Sequence, residues 1–244
     1  MILRELPSPL ALADTISGIT VLQADRLRGE WSIPLVARAA PSIVYQSTAG
    51  SAQLVLYGQN VRPFALRASG HLTMIAWFLH PHRLGPLFGF RASEVTEICV
   101  DLGSLPLVRR LSLVERLGES GEVRECLELM QEFIRPLCAA ATGGVNDAAG
   151  YATGVLRGGN GLVSLRSLQE ELRITERSFQ RLFDLHIGVS PKQYSRICQF
   201  QPAFRQLSGG QFGRLSDIAY DNGYADQSHL IRVFREFTGL TPKE

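Results

Sequence analysis

The sequence predicts an α+β fold in two parts: an antiparallel β-sheet or small barrel with accompanying helices, then an all-α part holding two helix-turn-helix units. Three observations lead there. Short apolar stretches separated by turn residues fill the first hundred positions. One glycine-dense segment interrupts the chain, and the residues after it contain a self-match.

Composition sets the bounds. At 244 residues, with 45% hydrophobic and 20% charged residues, the chain is ordinary globular material, neither disordered nor fibrous. Its longest apolar run, Leu72 to Leu79, is far short of the roughly 20 residues a bilayer-spanning helix needs. Arg4, Glu5 and Pro7 stand where a signal peptide would be apolar, so a cytoplasmic protein is expected. Cys99, Cys126, Cys138 and Cys198 form no CxxC pair, which points to reduced, mostly buried thiols rather than a disulfide framework or zinc knuckle. No cofactor is implied. The net charge of +2 divides into −1 over residues 1–155 and +3 over 156–244. Binding of an acidic polymer by the second part would therefore depend on placed residues rather than on a general positive field.

In the first part, Ser42–Tyr45, Gln53–Tyr57 and Leu72–Leu79 read as strands, with Gly50, Gly58, Pro63 and Gly70 as turns between them. From Glu122 to Ala139 the period becomes helical, with Val123, Cys126, Leu127, Met130, Phe133, Ile134 and Leu137 on one stripe. That face either covers the sheet or meets a second subunit, which would make the protein a homodimer. Seven glycines between Thr142 and Gly161 mark a hinge. The division expected is 1–142 as one domain, 143–160 as linker and 161–244 as the second domain, with Tyr151–Leu156 able to form a short lead-in helix.

The self-match has an offset of 51 residues: Phe179-Gln-Arg181-Leu-Phe183 with Gly188-Val-Ser-Pro191-Lys192 aligns on Leu230-Ile-Arg232-Val-Phe234 with Gly239-Leu-Thr-Pro242-Lys243. One supersecondary unit is used twice. Thr175 and Asp226 are N-cap types, Gly188 and Gly239 are helix stops, and the prolines three residues later prevent continuation. Shorter helices are predicted just upstream, at Leu165–Leu172 and Leu215–Tyr220, the second followed by the turn Asp221-Asn222-Gly223.

With the apolar positions buried, the second helix of each unit presents Glu176, Arg177, Gln180 and Arg181, or Gln227, Ser228, Ile231, Arg232 and Arg235, to solvent. Arg pairs in a fork with guanine O6 and N7, and Gln does the same with adenine N6 and N7. Between the units, Pro191–Ser208 opens with proline and predicts a rod of roughly 27 Å at about 1.5 Å per residue. Successive major-groove faces on one side of a duplex are about 34 Å apart, a span such a rod can bridge. Pro202, inside the rod, predicts a kink or a shortened helix.

Residues 161–244 resemble the DNA-binding domain of AraC/XylS-type bacterial transcription regulators. The resemblance is carried by Thr175 through Phe183, by Gly188–Pro191, and most specifically by Asp217-Ile-Ala-Tyr-Asp-Asn-Gly-Tyr-Ala-Asp-Gln-Ser-His-Leu-Ile-Arg-Val-Phe234 running into Gly239–Pro242. It implies double-stranded DNA as partner, with Arg177, Gln180 and Arg181 on one base-reading helix and Gln227, Ser228, His229 and Arg232 on the other. Lys192 and Arg235 are expected on phosphates. RNA polymerase as a second partner, and activation as the outcome, follow from the resemblance alone. Residues 40–105 resemble, more weakly, the N-terminal domain of a subgroup of these regulators, through the Leu72–Leu79 strand, Leu87-Phe88-Gly89 and the Val-Asp-Leu ending at Leu102. In the wider family this is a cupin-like barrel that senses a small molecule or mediates dimerisation.

A rival reading starts from His80 and His82, which flank a proline as do paired metal-binding histidines in cupin enzymes. It would make the chain a metal-dependent cupin-type enzyme with a DNA-binding tail. Two ligands are too few for such a site, and no Glu follows at short spacing. The expectation is a regulator and not an enzyme.

Overall fold

The computed structural model describes residues 1–48, 51–141, 146–210 and 213–242. The turn glycine Gly50, Gly143 and Gly144 of the glycine-rich segment, and Lys243 of the repeat lie outside the described residues. The first part is an antiparallel sheet of β1 (Ile2–Leu6), β2 (Ile16–Leu35), β3 (Ser42–Thr48), β4 (Ser51–Tyr57), β5 (Phe64–Leu79) and β6 (Cys99–Asp101), in the order β1-β2-β5-β3-β4-β6. The edge strands β1 and β6 do not pair with each other among the described residues, so no ladder closes the sheet into a barrel.

β2 and β5 are longer than the sequence suggests because each bends without ending. Their ladder shifts register between Ala24 and Leu27 and between Leu27 and Trp31, and both Gly29 and Gly70 take positive φ. Gly70, expected as a turn, is instead a bend inside β5, a conformation that glycine reaches without steric cost.

Side chains alternate between two apolar faces. Ile43, Tyr45, Ile75 and Trp77 pack on one side with Met130, Phe133 and Ile134 of α4, while Leu22, Val44, Met74 and Ala76 pack on the other. Four helices follow β5: α1 (Leu84–Phe88), α2 (Pro106–Arg110), α3 (Leu113–Glu119) and α4 (Val123–Ala140). The predicted stripe of α4 thus covers the sheet, and the Tyr45 hydroxyl donates to the Leu117 carbonyl at 2.8 Å to fix α3 beside it.

Within the glycine-rich segment, α5 runs from Asp147 to Gly158, capped by the Asn146 side chain, which accepts from the Ala149 amide at 2.9 Å. Its Ala149, Ala152 and Leu156 enter the core of the C-terminal helices. Gly150 lets α5 approach the first part: a Cβ there would be 3.2 Å from the His82 ring. The remaining helices are α6 (Leu165–Leu172), α7 (Glu176–His186), α8 (Pro191–Ser208), α9 (Leu215–Asp221) and α10 (Gln227–Thr238). α8 continues through Pro202 to Ser208, so the proline does not shorten it.

Candidate nucleic-acid interface

The first helical unit is α6 and α7. Ser164 caps α6 by accepting from the Ser167 amide at 3.3 Å, Arg173 turns the chain in the left-handed region, and Thr175 caps α7 by accepting from the Ser178 amide at 3.2 Å. Phe179 and Phe183 are fully buried, Phe183 meeting Tyr194 of α8 edge-on. This burial turns Arg177, Gln180 and Arg181 outward, and all three are exposed.

The second unit is α9 and α10. Asn222, in its turn, is buried and satisfied: Nδ2 donates to the Gln206 side chain at 2.7 Å and to the Ile218 carbonyl at 2.9 Å. Gly223 follows with positive φ, and Asp226 caps α10 by accepting from the His229 amide at 2.7 Å. Leu230, Val233, Phe234 and Phe237 are buried, while Gln227, Ser228, Arg232 and Arg235 are exposed. His229 departs from its group: it is half-buried, with its ring edge-on to Tyr224.

α8 joins the units and is bolted to the second. Arg196 of α8 donates twice to Glu236 of α10, at 2.8 and 2.6 Å, and Phe200 packs on both Phe234 and Phe237. The Glu236 hydrogen bonds raise the pKa of Arg196, so its charge is committed to the fold. By contrast, among the described residues no ion pair engages Arg177, Arg181, Lys192, Arg232 or Arg235. Lys192 is exposed in the first turn of α8. Unpaired among the described residues, these five cations are available to a polyanion.

A cavity lies between the sheet and the C-terminal helices. Its apolar compartment, about 320 Å³, is lined by Leu22, Val44, Met74 and Ala76 of the sheet and Phe204 of α8. A more polar compartment of about 530 Å³ adjoins it and includes His80 and Arg157. Arg38, Arg205, Gln201 and Glu5 border both. The Arg38 guanidinium lies 3.8 Å from the Phe78 ring centroid, donates to Thr20 at 3.3 Å and pairs with Glu5 at 3.2 Å. Burial lowers its pKa, and the Glu5 carboxylate opposes that shift. Arg205 is exposed and has no ion pair among the described residues.

Comparison with known proteins decides what the two units are. Residues 168–244 match the family model described as a helix-turn-helix domain. This part of the chain is an AraC-type helix-turn-helix domain. A curated relative, an uncharacterized HTH-type transcriptional regulator of Haemophilus influenzae, is 30% identical over 80 residues. That match spans 33% of this chain and 26% of the relative, so the chain matches about a quarter of that protein's length. Among solved structures, ToxT from Vibrio cholerae matches with a TM-score of 0.52 at 12% identity, over 92% of this chain and 95% of that one. ToxT bound to (E)-4-(8-methylnaphthalen-1-yl)but-3-enoic acid matches at 0.52 and 10% identity, over 99% and 97%. Unsaturated fatty acid bound ToxT from strain SCE256 matches at 0.50 and 11%, over 92% of each chain. These likenesses show a shared fold across both parts of the chain.

The AraC-type domain brings Arg177, Gln180 and Arg181 to the exposed face of α7 and Gln227, Ser228, Arg232 and Arg235 to that of α10, while Lys192 is exposed on α8 and His229 is half-buried. The anchoring pair Arg196–Glu236 was not foreseen, nor were the cavity cations Arg38 and Arg205. The bridge joins residues forty positions apart with no local pattern, and Arg38 and Arg205 meet only once the sheet packs on the AraC-type domain. His80 and His82 lie with ring centroids 5.9 Å apart at the same junction, the His80 Nε2 within 3.1 Å of the Ala13 carbonyl. Among the described residues no group of three or more His, Cys, Asp or Glu is placed to hold a metal ion. Cys99 is exposed, Cys138 partly so, and Cys126 and Cys198 are buried; burial pushes the Cys198 thiol up to about 12, which keeps it protonated and unreactive.

Proposed function

We propose that the chain is a sequence-specific DNA-binding transcription regulator in which α7 and α10 each enter the major groove and the sheet domain receives a chemical signal. The observation that carries this is the pair of capped helices flanking one rod, each with exposed arginines that no carboxylate among the described residues pairs with. Arg177, Gln180, Arg181, Gln227, Ser228 and Arg232 read bases. Lys192 and Arg235 hold phosphates and set register. His229, half-buried against Tyr224, positions the start of α10 more than it reads. Contact with RNA polymerase and activation of transcription belong to this reading, as does a cytoplasmic site of action; among the described residues no helix is long and apolar enough to cross a membrane.

The signal we infer is a small organic acid with an apolar body. An apolar compartment with two arginines at its border suits a carboxylate head and a hydrocarbon tail, and both ligands named for the ToxT structures are of this kind. The test of the reading as a whole is unbiased selection of duplex oligonucleotides with the full chain. Enrichment of a motif with two separated blocks supports it; a pool that stays random after repeated rounds removes it.

A further inference from the structure

Residues 36–40, between β2 and β3, belong at once to the cavity and to the AraC-type domain. Arg38 and Ala40 border both compartments and Ala39 borders the more polar one, while Ala37 and Ala39, at 0% and 8% exposure, are also built into the apolar core that α7, α8 and α10 share. The backbone is fastened to both parts of the chain. The Ala37 amide donates to the carbonyl of Phe237 near the end of α10 at 3.1 Å, and the Ala37 carbonyl accepts from Gln201 of α8 at 2.7 Å. The Ala39 carbonyl accepts from the Tyr194 hydroxyl of α8 at 3.4 Å. Between them the Arg38 carbonyl accepts from the Gln59 side chain, just after β4, which ties that residue to the sheet domain.

The first DNA-reading helix is held differently. Beyond its end, the Gly188 carbonyl accepts from the Thr96 hydroxyl at 2.7 Å, at a place that does not border the cavity. The sheet domain therefore grips the two readers through separate anchors, and only the anchor of the second touches the cavity.

We propose that residues 36–40 are a strap coupling the cavity to the second reader: an occupant that repositions Arg38 pulls on Ala37 and Ala39 and shifts the end of α10 against α8. Consecutive Cα atoms are held about 3.8 Å apart, and close-packed cores transmit displacement instead of absorbing it. Because the Ala37 amide hydrogen-bonds α10 directly, whereas α7 meets the strap only by apolar packing through Tyr194, occupancy changes the seating of the second unit more than that of the first. The strap rests on the cavity being a ligand site, as proposed above.

The test uses the full chain, its selected duplex, and oleate as the probe. Oleate binding is measured by calorimetry, and DNA affinity and footprint are measured with and without oleate for wild type, Ala37→Gly and Tyr194→Phe; neither substituted residue lines the cavity. Melting curves verify that the variants fold, and Tyr194→Phe, which removes only a hydroxyl, is the milder of the two. In wild type, oleate should change DNA affinity by roughly fivefold or more, with the footprint altered in the half-site contacted by α10. Both variants should bind oleate as wild type does and show a smaller change, Ala37→Gly the smallest. An undiminished change in both variants, or a footprint altered equally in both half-sites, overturns the strap. If oleate does not bind wild type, the ligand reading fails separately, and Ala76→Phe, which fills the cavity from β5, replaces the probe. A shift in DNA affinity from Ala76→Phe that Ala37→Gly suppresses then upholds the strap; no shift, or the same shift in both backgrounds, overturns it.

Discussion

Arg181 and Arg232 occupy matching places in the two units, and each is exposed on a helix whose opposite face is anchored by buried phenylalanines. If each forks onto a guanine, Arg181→Ala and Arg232→Ala should each weaken binding to the selected site by about 1–3 kcal/mol and relax base preference at one position. Competition against single-base variants of the site measures this. Lys192 and Arg235 act by charge alone, so Lys192→Ala and Arg235→Ala should weaken all sequences alike and each lower the slope of log K against log salt by about 1. A slope equal to that of wild type would take either residue off the phosphate list. These residue types were legible in the sequence because a duplicated helix with one apolar face leaves its polar face determined. Arg38 and Arg205 were not legible, since their meeting depends on a packing between distant segments.

Helix ends show how far local signals reach. α6 and α8 run as their sequences predict because each has a Ser N-cap, and α8 begins with proline at its first position. The caps of α7 and α10 are Thr175 and Asp226 as expected, and removing the second should be costly: Asp226→Ala should lower stability by about 1 kcal/mol, read as a shift in the urea midpoint without DNA. An unchanged midpoint would mean that the Phe234 and Phe237 packing alone sets where α10 starts. Strand β2 was missed for the opposite reason. Its run Asp25-Arg26-Leu27-Arg28-Gly29-Glu30 has the polar, glycine-containing composition of a loop, and only the long partner β5 keeps it in the sheet through two register shifts. The apolar character of both sheet faces likewise follows from the cavity, because each strand has to suit helices on one side and an open compartment on the other.

At the scale of the molecule, the two halves meet through apolar packing, residues 36–40 and a junction where His80, His82 and His186 lie near Arg83 and Arg157, and only this last responds to pH near neutrality. Burial, reinforced by Arg83, His80, Arg157 and His186, holds His82 down to about 4, and burial also lowers His80 and His186. Histidines whose folded pKa lies below the usual value near 6.5 are protonated first in the unfolded chain. Their contribution to stability is therefore intact above about pH 6.5 and is lost as pH falls from there towards 4. The melting temperature should be flat above pH 7 and decline below 6.5, with a shallower decline in His82→Gln; equal slopes in both proteins would remove His82 from the junction's pH response.

The central claim is that one chain grips a duplex twice from one side. Hydroxyl-radical footprinting of the full chain on its selected site tests it most directly, repeated with Arg181→Ala and Arg232→Ala. The account predicts two protected patches on one face, about one helical turn apart, of which each substitution erases a different one. A single patch, or the same base pairs deprotected by both substitutions, would contradict it.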